Sequence, residues 1–68
     1  MGERDRMMQW FQYAHLPEHL QAVSKPFCEL AEWVEKNLAQ NPERTVTLRK
    51  LLEAKDAAVR AHIESQPR

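Results

Sequence analysis

Glycine occurs once in this sequence, at position 2, and cysteine once, at position 28. A single thiol cannot close a disulfide within the chain, and the three histidines and one cysteine lack the spacing of a structural zinc site. One glycine leaves no Gly-rich phosphate loop and little material for tight hairpin turns, and the only stretch with strand character is Thr45-Val46-Thr47. No apolar run approaches the roughly 20 residues of a membrane span. The opening Met1-Gly2-Glu3-Arg4-Asp5-Arg6 alternates in charge, without the apolar centre of a signal peptide or the Ser or Thr of a myristoylation signal. An excess of either charge is missing too: ten basic residues stand against ten acidic ones, whereas a dedicated DNA- or RNA-binding module carries a clear surplus of Lys and Arg. The expectation is a cytoplasmic, all-α protein with neither nucleic acid nor membrane as partner.

What is present fits one domain spanning residues 1–68. A domain this short buries only roughly 60% of its unfolded surface, so apolar burial and lost chain entropy come out nearly equal. With disulfides and structural metal set aside, self-association is the remaining source of stability.

Between Leu16 and Leu38 the apolar residues fall at 16, 20, 23, 27, 30, 34 and 38, steps of three and four that draw one stripe along a helix. Pro17 suits the first turn, which predicts a helix over 17–40. Pro26 interrupts it, removing one hydrogen bond and crowding the preceding turn. A bend at Ser24-Lys25-Pro26 is expected, or a break with Ser24 as a new N-cap. A second helix over 42–64 has a cleaner start: Asn41 caps it, Pro42 fills its first position and Glu43 places negative charge where the helix dipole favours it. Leu48, Leu51, Leu52, Ala58, Val59 and Ile63 recur along it, and Ser65-Gln66-Pro67 stop it. Ala54, Ala57, Ala58 and Ala61 flatten one region, where a neighbouring helix could come close. The link of about two to four residues around Gln40-Asn41 makes the pair an antiparallel hairpin. Ahead of it, 7–14 reads as a short helical arm dense in apolar groups, and 1–6 as disordered. The predicted fold is an arm followed by a two-helix hairpin, assembling as a homo-oligomer.

Charge divides along the same boundary. Residues 1–40 hold four basic against six acidic residues, and 41–68 hold six against four. Complementary surfaces of a hairpin and its oligomer account for this; a local basic pocket for an anion is the alternative.

His15-Leu16-Pro17-Glu18-His19 spells H-x-x-E-H, a metalloprotease signature when all of it lies on one helix. Pro17 most naturally begins the helix and leaves His15 outside it, so no metal site is expected there. Cys28 has no paired base and reads as a partly buried structural thiol. Three aromatics, Trp10, Phe11 and Tyr13, lie within four positions and cannot all face one core side, so at least one meets another subunit or stacks on a ligand. Tyr13 stands at the mobile approach to the first helix beside His15. Lys25 is either a solvated surface charge or a cation at the bend. Glu43-Arg44-Thr45 is either ordinary capping and salt bridging or a phosphate site at a helix start. Glu32 with Lys36 and Asp56 with Arg60 have the spacing of helix-surface ion pairs. No paired carboxylates or nucleophilic triad can be assembled, so no enzyme and no cofactor is expected.

The order of these features resembles a family of small phage proteins, the type 2 anti-CBASS cyclic-oligonucleotide sponges. The resemblance is carried by the aromatic arm ending in Tyr13 and His15, a basic residue followed by Phe27, Leu30 and Ala31, and Glu43-Arg44-Thr45 before Leu48, Lys50-Leu51, Glu53-Ala54 and Ala58. It covers roughly residues 10 to 62. It implies a homohexamer of short helical hairpins that binds cyclic di- and trinucleotide signals of bacterial antiphage immunity, such as cGAMP, and holds them without cleaving them. Carried onto this sequence, Tyr13 stacks on a base and Lys25 meets the phosphates in a pocket shared between subunits, with Trp10, Phe11 and His15 beside them. Arg44 and Thr45, with Arg49, are candidates for a second, cyclic-trinucleotide pocket. A helical oligomer serving only as an interaction or assembly module is the competing expectation.

Overall fold

The computed structural model of the chain describes residues 6–66. The disorder expected over 1–6 therefore concerns residues outside the described ones, except Arg6, which opens a helix. The described residues are all-helical: a 3-10 helix Arg6–Phe11, helix α1 Glu18–Asn37 and helix α2 Pro42–Glu64.

Local chemistry sets most of these limits. Asn41 caps α2, its side-chain Oδ1 accepting from the Arg44 amide at 2.9 Å, and Pro42 follows at the first position. The β-branched run Thr45-Val46-Thr47 is carried into the helix behind this cap, Thr47 Oγ1 donating to the Glu43 carbonyl at 2.9 Å. At its far end, the Ser65 hydroxyl donates to the His62 carbonyl at 2.7 Å.

α1 is shorter than expected at both ends. Pro17, with φ −54° and ψ 150°, precedes the helix rather than opening it, and its carbonyl accepts from the Leu20 and Gln21 amides. At the other end Leu38 turns extended, with φ −104° and ψ 139°, instead of continuing to residue 40. Between these ends α1 runs unbroken through Pro26. Ser24 does not cap a new helix; it lies inside α1, fully buried, its hydroxyl without a hydrogen-bond partner. The missing amide of Pro26 deprives the carbonyl of Ala22 of its helical donor, and both residues are exposed.

The helices pack antiparallel across the link 38–41. Arg44 Nη1 at the start of α2 donates to the carbonyls of Glu35 and Leu38 at 3.1 and 3.3 Å, while His62 at its end meets His19 at the start of α1. Met8 and Phe11 from the 3-10 helix, Ala31 and Val34 from α1 and Leu48 from α2 form the buried core. Small residues, Ser24 and Ala31, occupy its line on α1 and let the partner helix close in, so the apolar stripe is rotated relative to the core: Leu30 and Leu38 are exposed. Lys55 ties the arm to α2, its Nζ donating to the Trp10 carbonyl at 2.7 Å.

Candidate functional site

The segment between the 3-10 helix and α1 is folded into a turn by its own hydrogen bonds. The Leu16 amide donates to the Tyr13 carbonyl at 3.0 Å, and the Gln21 side-chain amide donates to the carbonyls of Leu16 and Ala14 at 2.8 and 3.4 Å. α1 thereby holds Tyr13 and His15 against its own side. Together with Gln12, Ala14, Cys28 and Glu32 they line an open depression of about 440 Å³, mostly apolar. Tyr13 is half-buried in it. The Cys28 thiol donates to Glu32 Oε1 at 3.7 Å, joining two of the lining side chains. Lys25 lies exposed three residues before Cys28 and seven before Glu32, a spacing that puts it on the same side of α1, one turn toward the helix start.

Four of the five residues expected around a dinucleotide remain accessible: Tyr13, His15, Lys25 and Trp10, the last 57% exposed. Phe11 corrects the expectation. It is fully buried with Met8 and Leu48 and holds the arm down, leaving no ring face for a ligand. Cys28 and Glu32 were not expected in the site; the signal was their spacing from Lys25, which repeats with the helical period.

Residues Arg44, Thr45 and Arg49 divide. Arg44 is 8% exposed, and its guanidinium caps the last carbonyls of α1, groups that would otherwise lack an amide donor. It is turned away from any open anion site, a second correction. Thr45 is half-buried and Arg49, one turn on, is exposed on the same side of α2.

Neither expected ion pair forms among the described residues. Glu32 is engaged by Cys28, and Asp56 lies 3.7 Å from Lys55 Nζ. Lys50 and Glu53 approach to 3.9 Å, both well exposed. Long side chains in water gain little from being held in one geometry, so their spacing does not fix their pairing.

The two histidines of H-x-x-E-H separate: His15 lines the depression and His19 lies in the first turn of α1. Among the described residues no three His, Cys, Asp or Glu side chains converge as metal ligands, and no helix is long and apolar enough to cross a membrane. A second depression, about 300 Å³, is lined by Leu16, Ser24, Lys55, Asp56, Val59 and Arg60; its lysine donates to the Trp10 carbonyl and lies 3.7 Å from the Asp56 carboxylate.

No protein-family model, no curated protein and no solved structure matches this chain. What the chain does is read from its residues and their arrangement alone.

Proposed function

We propose that this protein binds cyclic di- and trinucleotide signals and sequesters them without turnover, as the phage sponge family it resembles does. The observation that supports this best is the depression itself: an aromatic residue, Tyr13, lines it with His15, and Lys25, outside the lining, is exposed on α1 one turn before Cys28. A flat base stacks on a tyrosine, and a phosphate pairs with a lysine at the open rim. The Glu32 carboxylate in the lining repels phosphate and suits the N–H groups on the edge of a base instead.

A cyclic dinucleotide presents two bases and two phosphates related by near-twofold symmetry. Two chains, each contributing one Tyr13 and one Lys25, match it with one copy of each residue per chain. In this reading the oligomer is even-numbered, a hexamer as in the family, and exposed Trp10 and Trp33 supply contact area between subunits. The second pocket rests on Thr45 and Arg49, since Arg44 is used within the fold.

The exposed Trp10, Leu30, Trp33 and Ile63 also favour a second reading, a helical assembly module with no ligand. Isothermal titration with a panel of cyclic di- and trinucleotides separates the two. Under the sponge reading a dinucleotide binds, and Tyr13→Ala and Lys25→Ala each weaken it by about tenfold or more while the oligomer persists. Absence of binding across the panel at roughly tens of micromolar would exclude sequestration and leave the assembly reading.

A further inference from the structure

At the open end of the hairpin, opposite the 38–41 link, three side chains converge. His19 Nδ1 in the first turn of α1 lies 3.2 Å from His62 Nε2 in the last turn of α2, with ring centroids 5.3 Å apart. The Gln66 side-chain amide reaches the same His62 Nε2 at 3.4 Å. A ring nitrogen carries either one proton or one lone pair, so His62 Nε2 can serve one of these neighbours well and not both. A divalent ion satisfies all three at once. Two nitrogens at the usual zinc–imidazole distance of about 2.05 Å, set at the tetrahedral angle, stand roughly 3.3 Å apart. Cis ligands of a square-planar ion would stand closer, at about 2.9 Å. The oxygen and nitrogen of the Gln66 amide exchange by rotation of the group, which turns the carbonyl oxygen toward the ion.

A second observation gives such an ion something to do. The buried residues of α2 are Arg44 and Leu48, both in its first two turns, and its last two turns pack lightly. The link closes one end of the hairpin; nothing covalent closes the other.

We propose that His19, His62 and Gln66 form a tetrahedral site for zinc, completed by water, that staples the first turn of α1 to the last turn of α2. His19 stands 43 positions before His62, and Gln66 follows His62 by four, so the local H-x-x-E-H pattern contributes one histidine and leaves His15 out. The site stands independently of nucleotide binding. Structural zinc adds stability by binding the folded chain alone, and an ion tying distant residues closes a long loop.

The test uses the full chain stripped by a chelator and titrated with zinc chloride, with wild type, His19→Gln, His62→Gln and His15→Gln compared by calorimetry and thermal melting. One zinc per chain is expected. Saturation at about a hundred times the dissociation constant raises Tm by roughly 10–20 °C. Either His19→Gln or His62→Gln weakens binding by at least about tenfold and removes the rise, and His15→Gln keeps both. Cobalt(II) in place of zinc gives the strong visible bands of tetrahedral coordination. The substituted histidines lie outside the core, and far-ultraviolet circular dichroism of each variant separates lost binding from lost folding. Zinc uptake that His62→Gln leaves intact, or none up to roughly 1 mM zinc, would overturn the proposal.

Discussion

Arg44 is the one buried charged side chain among the described residues, and its partners explain why it is tolerated there. A guanidinium has five donors in a fixed fork, and the end of α1 presents carbonyls with no amide to meet them; Glu35 and Leu38 receive the donors at 3.1 and 3.3 Å. Arg44→Met keeps most of the stem and removes the donors. It should cost about 2 kcal/mol in urea denaturation and leave dinucleotide affinity unchanged. Unchanged stability with weakened trinucleotide binding would instead return Arg44 to the ligand role that Glu43-Arg44-Thr45 suggests in the sequence. Tyr13 is the opposite case. It is half-buried beside His15 and outside the core, so in the proposed function its removal would weaken ligand binding more than the fold.

Among the elements, α2 has the limits that Asn41, Pro42 and Ser65 imply, because capping is decided within a few residues of the helix end. α1 stops at Asn37 rather than at residue 40 because its last carbonyls are met by Arg44, which no local pattern in 17–40 reveals. Its core line also lies beside the apolar stripe, since Ser24 and Ala31 permit close approach and larger residues would not. Pro26 is carried where both it and Ala22, whose carbonyl loses its donor, are exposed residues outside the core. Pro26→Ala should therefore stabilise the chain by about 2 kcal/mol in chemical denaturation, restoring a helical hydrogen bond and relieving the ring. A loss of stability would mean that the proline ring is itself a packed surface. The candidate site was legible in part for the same reasons: Tyr13 and His15 line one depression through a short-range turn, and Lys25 shares a side of α1 with Cys28 and Glu32 by helical spacing. Lys55 on Trp10 and His62 against His19 join residues more than 40 apart, which spacing along the chain cannot show.

At the scale of the molecule the chain is long and thin, 45 × 21 × 15 Å, with a radius of gyration of 13.1 Å against about 11 Å for a compact domain of this length. Its accessible surface, 5384 Å², exceeds the roughly 4500 Å² of a folded monomer of 8.0 kDa by about the area one partner contributes to a standard interface. Trp10 and Trp33, 57% and 54% exposed, are the largest apolar groups left in water. In the proposed function, assembly would cover them and bring the depressions of two chains together, so that one event would supply both the missing burial and the paired site. Native mass spectrometry of the chain with an excess of a cyclic dinucleotide reads assembly, stoichiometry and ligand integrity at once. The account predicts an even-numbered oligomer carrying one intact dinucleotide for every two chains. A bare monomer, or an oligomer with no nucleotide bound, would contradict it.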